Sequence, residues 1–270
     1  MQEVANLLAS RGPVDLDKVA LTASTSEAYG CLFKVLCDPG ERVLVPQPSY
    51  PLLEYLARFE GVEPISYSLV YHGRWEIDLD SLRTGMKQGM RAVVVVNPNN
   101  PTGSFLSPGD HQAVQELCRE KGVVLILDDV RVGSRLHDGG SHRFFGFTPD
   151  LACYSKALGN GYAISACVGR EEYRKAAGEV FLTGSCWNDA VAMAAALSCL
   201  QVSLERKVVE RFEVLGRRLG EGLEARAREH GFSLRVTGPP AMPFPWFEED
   251  ANLYSLQKFC GLCADAGVFF

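Results

Sequence analysis

The sequence has no long apolar run. Its longest aliphatic stretches, Val93 to Val96 and Val123 to Leu127, fall far short of the roughly 20 residues a bilayer-spanning helix requires, so a transmembrane helix is excluded. An excess of basic charge is missing too. The chain carries 27 Lys and Arg against 33 Asp and Glu, a net charge of −6 with the signs interleaved, so nothing gathers nucleic acid or an anionic membrane. Met1-Gln2-Glu3-Val4 lacks a basic stretch followed by an apolar one, no secretory signal is readable, and the expected location is the cytoplasm. His72, His111, His137, His142 and His230 show no ligand spacing, and no metal is expected. Nine cysteines is an odd number. Most lie in apolar segments (Cys31, Cys37, Cys118, Cys153, Cys167, Cys199) and read as small buried hydrophobes of a reducing compartment. Cys260-Gly261-Leu262-Cys263 has no second pair and reads as a helix face. Gly159-Asn160-Gly161 lacks the third glycine of a dinucleotide fingerprint and is read as letting backbone pass close to Lys156.

What is present fits a packed globular chain: 270 residues, 47% apolar and 22% charged, enough to bury roughly 70–75% of the unfolded surface. Short β-branched runs alternate with helical patterns, which predicts an α/β fold around a mostly parallel sheet. A helix is predicted over Ser24 to Val35, opened by hydroxyl capping residues, and Asp38-Pro39-Gly40 breaks it before the strand Arg42 to Val45. Tyr50 to Glu60 is helical, Val62 to Leu69 extended and Leu79 to Met90 helical. Arg91 to Val96 reads as a strand buried on both faces, followed by the turn-rich Asn97-Pro98-Asn99-Asn100-Pro101-Thr102-Gly103. The pattern repeats with the helix Pro108 to Lys121 and the strand Val123 to Leu127, and two more strands are expected at Leu151 to Tyr154 and Ile164 to Val168. From Leu200 the texture changes to one long charged helix, Ser203 to His230, then a Pro-rich stretch. A second, smaller domain is expected to start there, dividing the chain into 1–200 and 201–270. The apolar end, Ala266 to Phe270, suggests that the fold continues in a longer parent sequence.

In such sheets ligands bind at the carboxyl ends of the strands. Polar residues follow apolar strands at Asn97 to Gly103, at Asp128-Asp129 and at Ser155-Lys156. A lysine at such a mouth is expected to be partly desolvated and shifted toward its neutral, imine-forming state. Asp128 is expected to point into the same cleft from a neighbouring strand. A lysine for an aldehyde and a carboxylate for a ring nitrogen are what pyridoxal phosphate needs. Thr22 to Glu27 supplies a hydroxyl-rich helix start for the phosphate, Tyr50 an aromatic ring for one face, and Asn100 a donor for the phenolic oxygen.

Here the chain resembles the fold type I pyridoxal phosphate enzymes, specifically the aminotransferases. Leu21-Thr22-Ala23-Ser24-Thr25-Ser26-Glu27-Ala28 looks like that family's phosphate-binding helix start, and Asn97 to Gly103 looks like the class I and II loop. Around the lysine, Leu127-Asp128-Asp129-Val130, Thr148 to Lys156, Gly184-Ser185 and Ala192 to Ala195 are more similar to class III. The resemblance implies a three-layer sandwich as large domain with part of a small C-terminal α+β domain. It implies a pyridoxal phosphate-dependent aminotransferase, moving an amino group between an amino acid or amine and a 2-oxo acid. Lys156 would carry the cofactor's aldehyde carbon and move the proton, beside Ser155. Asp128 would hold the pyridinium N–H, Val130 and Tyr50 would flank the ring, and Asn100 would bond its oxygen. Ser24 and Thr25 would hold the phosphate, and Ser185 would reach the phosphate of a partner subunit in a homodimer. The sequence departs from the family pattern in places: Ala157 to Gly169 contains no arginine, Arg131 stands where class I favours tyrosine, Asp129 where class III has glutamate, and Ser24 where the phosphate string has glycine. Another reaction on the same cofactor (aminomutase, decarboxylase or lyase) and a truncated, non-catalytic homologue are the alternative readings.

Overall fold

The computed structural model describes residues 18–86, 89–180, 186, 189–248, 250 and 252–269. The chain divides into two units between Arg206 and Lys207. The first holds eight strands: β1 (Val19–Thr22), β2 (Arg42–Gln47), β3 (Glu63–Tyr71), β4 (Trp75–Ile77), β5 (Met90–Val96), β6 (Val124–Asp128), β7 (Leu151–Tyr154) and β8 (Ser165–Gly169). They form one sheet in the order β1-β8-β7-β6-β5-β2-β3-β4. The five central strands, β7 to β3, are parallel. β8 and β1 on one side and β4 on the other run antiparallel to their neighbours.

Helices cover both faces of this mostly parallel sheet, as an α/β architecture requires to bury strands that are apolar on both sides. On one face lie α1 (Thr25–Leu36) and α2 (Leu52–Phe59), packed over Val43, Val45, Val94, Val96, Ile126, Cys153 and Cys167. On the other lies α7 (Ala190–Glu205), packed through Ala192, Ala196 and Leu200 on Leu158, Ile164 and Ala166. Between them in sequence are α3 (Leu79–Gly85), α4 (Pro108–Lys121), α5 (Ser141–Phe145) and α6 (Arg174–Glu179). The burial of Val93 to Val95 in β5 and of Leu125 to Leu127 in β6, each at most 2% exposed, gives the alternating inward and outward side chains apolar partners on both faces.

The start of α1 is fixed by its own residues. The Ser24 hydroxyl accepts the Glu27 N–H at 3.2 Å, and the Glu27 carboxylate accepts the Ala23 N–H at 2.6 Å. The first bond satisfies one of the donors that a helix start leaves orphaned, and the second ties Glu27 to the residue before the cap. Ala28, Tyr29, Leu32, Phe33 and Leu36 then form the buried stripe that docks on the sheet.

The second unit is built from α8 (Val208–Glu229), the hairpin of β9 (Leu234–Thr237) with β10 (Phe244–Phe247), and α9 (Tyr254–Asp265). Gly216 faces the Pro240 carbonyl so closely that no side chain fits, and the Glu224 carboxylate accepts the Val236 N–H at 2.8 Å. The single helix expected over Ser203 to His230 is two helices. The chain breaks at Arg206–Lys207, where Lys207 adopts a left-handed φ of 49°, so Ser203 to Glu205 finish α7 in the first unit. Charge periodicity alone carries no sign of this break, because both helices are polar there.

Candidate functional site

One row of side chains crosses the sheet at its carboxyl end. Val96 pairs with Asp128, Asp128 with Cys153, Cys153 with Cys167, and Cys167 with Ala20. Paired residues on neighbouring strands project from the same face, so Asp128 sits in this row on the side covered by α1. Lys156 follows β7 by two residues, beside the end of β6. The structure therefore brings Asp128 and Lys156 to the mouths of adjacent parallel strands, close enough that the lysine's charge acts on the carboxyl.

Asp128 is held from two directions. The Tyr29 hydroxyl donates to Oδ2 at 2.8 Å and the Val130 N–H donates to Oδ1 at 3.1 Å. Burial pushes the carboxyl above its ordinary range, while the Tyr29 hydroxyl, the Val130 N–H and the charge of Lys156 pull it back down. Each oxygen keeps a lone pair beyond the bond it accepts, so the group can take one more donor.

Lys156 is exposed, contrary to the expected desolvation. It opens a short 3₁₀ turn, Lys156–Leu158, in which Leu158 turns inward to the core and the lysine is left outward. Its φ of 48° lies in the left-handed region, which costs a side-chain-bearing residue roughly 1–2 kcal/mol and must be sustained by its surroundings. Those surroundings are visible in Ser155, whose hydroxyl donates to the Ile164 carbonyl at 3.2 Å and accepts from the Ser165 hydroxyl at 2.6 Å. Both bonds tie the lysine's neighbour to the entry of β8. Gly159 backs onto the Tyr162 carbonyl and Ile164, and the Gly159 and Asn160 N–H groups donate to the Lys156 carbonyl, so the Gly159-Asn160-Gly161 run passes close to the lysine as it reverses into β8.

The other expected residues stand at a helix start and on loops of the first unit. Ser24 is exposed and spends its hydroxyl on the Glu27 N–H; the cap leaves the first-turn N–H groups of Thr25 and Ser26 without intrahelical acceptors. Tyr50 and Val130 are partly buried against the α1 side of the core. Asn100 is exposed on its loop. Ser185 lies outside the described residues.

Sequence reasoning missed three residues. Asn99 and Asn97 organise the loop that carries Asn100: Asn99 Nδ2 donates to the Pro48 carbonyl at 3.3 Å and to the Thr102 hydroxyl at 3.0 Å, and Asn97 Oδ1 accepts the Leu106 N–H at 3.1 Å. Tyr29 was hidden inside an apolar helical stripe. The only signal for it was a polar handle at a position where the spacing demands a hydrocarbon. Among the described residues, no group of three or more His, Cys, Asp or Glu is arranged to hold a metal, and no helix is long and apolar enough to cross a membrane.

The chain belongs to the aminotransferase class I and II family, whose profile matches residues 2–262. That match runs through both units, so the class III likeness around Lys156 is local. Among curated proteins, the chain is 34% identical over 202 residues to 3-aminobutyryl-CoA aminotransferase of Cloacimonas acidaminovorans, covering 72% of this chain and 49% of that one. It is 38% identical over 158 residues to aminopentol aminotransferase of Sphingopyxis macrogoltabida, covering 58% and 37%. The chain thus spans half or less of the length of these relatives. Among solved structures it is similar to the FumI protein of Sphingopyxis sp. MTA144, determined in its PLP internal aldimine form, with a TM-score of 0.80 at 26% identity over 100% of this chain and 67% of that one. Aspartate aminotransferase of Thermus thermophilus shares the fold, with a TM-score of 0.68 at 24% identity over 88% and 64%.

Proposed function

We propose that the chain is a pyridoxal phosphate-dependent aminotransferase, moving an amino group between an amino acid or amine and a 2-oxo acid. The observation that carries this is the placement of Asp128 and Lys156 at the ends of adjacent strands, in a chain of the class I and II family. The residues present fit the group. Asp128 keeps acceptor capacity and burial leaves its charge incompletely compensated, which suits a cationic ring N–H. The start of α1 offers N–H groups and a helix dipole to a phosphate.

When bound, pyridoxal phosphate supplies the electron sink that makes a proton on the substrate's carbon labile. Lys156 Nζ would be the amine that holds the group and the base for that proton. Asp128 would hold the ring N–H, Tyr50 and Val130 would flank the ring, and Asn100 would donate to its oxygen. Ser24 and Thr25 would hold the phosphate. The Ser155 hydroxyl, spent on β8, holds the lysine's backbone in place. The protein acts in the cytoplasm, a reading supported by nine unpaired cysteines. It would act as a homodimer, the assembly that the family resemblance implies.

Adding pyridoxal phosphate to the full chain should give a visible band that borohydride reduction abolishes, leaving the cofactor fixed to the protein. Lys156→Ala should abolish the reducible band, and a Lys156→Ala protein with the same band would end the proposal. Incubation of the loaded chain with a panel of amines, amino acids and 2-oxo acids should yield the exchanged pair.

A further inference from the structure

A single rigid helix links the two ends of the proposed site. α1 begins at Ser24, and Tyr29 lies five residues on, about 7.5 Å along the axis at 1.5 Å per residue. Its side chain points from the docked stripe to the sheet and ends on Asp128 Oδ2 at 2.8 Å. The ring cannot turn away: Tyr29 is 1% exposed and stacks on Phe33 at 5.8 Å with an interplanar angle of 24°. Val130 N–H serves the other oxygen, so the carboxylate is gripped by one donor from its own strand end and one from a helix that meets it across 99 residues of sequence.

We infer that Tyr29 is a positioning residue for Asp128: from the second turn of α1 its hydroxyl fixes the orientation of the carboxylate and supplies a hydrogen bond that favours its charged form. For the cofactor this rests on the function proposed above; for the carboxyl group itself it does not. The tyrosine is suited to the task because it stays a donor. Burial, and then the charge of Asp128, hold its hydroxyl well above the ordinary phenol range, so it remains protonated wherever the chain is folded. A lysine or histidine at position 29 would bring a full charge into this core, whereas a phenol brings a neutral O–H on an apolar body. With α1 also offering its N-terminal N–H groups to a phosphate, one helix would set the spacing between the anion-binding end and the carboxylate.

The alternative is that Tyr29 merely satisfies its own hydroxyl, as buried tyrosines do. Tyr67 provides the control: it is also 1% exposed, and its hydroxyl donates at 3.0 Å to the Val94 carbonyl, away from Asp128. Tyr29→Phe and Tyr67→Phe each delete one buried hydroxyl and keep the ring, so both variants should fold with similar losses of thermal stability. The deciding measurement is infrared titration of the full chain without cofactor, with the protonated Asp128 carboxyl band assigned by its disappearance in Asp128→Asn. Tyr29→Phe should raise the proton affinity of that carboxyl about tenfold, the size of one lost hydrogen bond to a charged group, and Tyr67→Phe should leave it in place. A Tyr29→Phe titration superimposable on the wild type, or an equal shift in Tyr67→Phe, would overturn the inference. The second arm titrates the visible band of the chain loaded with pyridoxal phosphate. There Tyr29→Phe should move the pH dependence and release cofactor about tenfold more readily in dialysis, the same single bond being lost. No visible band in the wild type would count against the function proposed above, while the infrared arm would still decide the role of Tyr29.

Discussion

Asp128 and Asp129 are chain neighbours at the end of β6, yet the alternation of a strand sends them to opposite environments. Asp128 accepts one bond at each oxygen, feels the charge of Lys156, and keeps acceptor capacity toward the strand mouths. Asp129 is fully buried. Its Oδ2 accepts the Ser141 N–H at 2.8 Å and its Oδ1 has no hydrogen-bond partner among the described residues. Burial pushes the Asp129 carboxyl up to about 7, the Ser141 bonds opposing and the nearby Asp128 charge adding to the rise. The two differ in what compensates their charge. The first has donors arranged so that a carboxylate survives burial, and the second is satisfied by one amide and tolerates being neutral. One is equipped to hold a cationic group, the other to pin the loop that runs from β6 to α5.

The sharpest way to break this comparison is to remove each charge in turn. Asp128→Asn should lower the turnover of the loaded chain by about 10²–10⁴-fold, the usual span for a lost group acting on a reacting proton, with the cofactor band altered. Asp129→Asn keeps an acceptor for the Ser141 N–H and should leave the band and the turnover within about threefold of wild type, well inside that span. Steady-state rates and visible spectra of both variants decide; equal losses would mean that the two carboxylates serve one site.

Most of the sheet was legible because its central strands are apolar on both faces. Met90–Val96 and Val124–Asp128 announce themselves as near-continuous runs, and the polar residues after them mark the ligand end. β1 was not recognised, and neither were the antiparallel directions of β8 and β1. Four residues such as Val19–Thr22 carry no local signal of which strand they pair with. Asp128, Lys156 and Asn100 could be found because each follows a strand or a rigid turn. Tyr29 could not, because its significance lies in a partner 99 residues away. The exposure of Lys156 was also illegible: it depends on a left-handed turn held by the Ser155 and Ser165 hydroxyls, and no propensity reports that pair.

The Asp129 side can be tested through its backbone. Gly140 precedes α5 with φ 101°, and a Cβ there would run into the Tyr154 hydroxyl, His142 Nδ1 and Asp129 Oδ2. Gly146 follows α5 with φ 74° and open space around it. Gly140→Ala should therefore lower stability by about 3 kcal/mol, combining backbone strain with a clash in a packed polar cluster, against about 1 kcal/mol for Gly146→Ala. Chemical denaturation reads both. Equal losses would show that the Asp129 cluster yields easily and is not the rigid counterpart of the Asp128 site.

The mildest test uses pH. Because the folded Asp129 carboxyl titrates near 7 and a free aspartate near 3.8, the unfolded chain gives up this proton first as pH rises, and folding stability drains away between those values. His111 and His142 act in the opposite sense. Burial holds both at about 4, below the ordinary 6.5, so they contribute stability above 6.5 that is lost as pH falls toward 4. Between roughly pH 4 and 6.5 the aspartate therefore masks part of the histidines' acid sensitivity. Asp129→Asn removes the mask: its stability relative to wild type should improve by ~1.4 kcal/mol for each pH unit climbed between about 4.5 and 6.5, and its own loss on acidification should be the steeper. Urea unfolding at half-unit steps checks this. Parallel curves for the two proteins would mean that Asp129 is ionised in the folded chain, and the contrast with Asp128 would then rest on their partners alone.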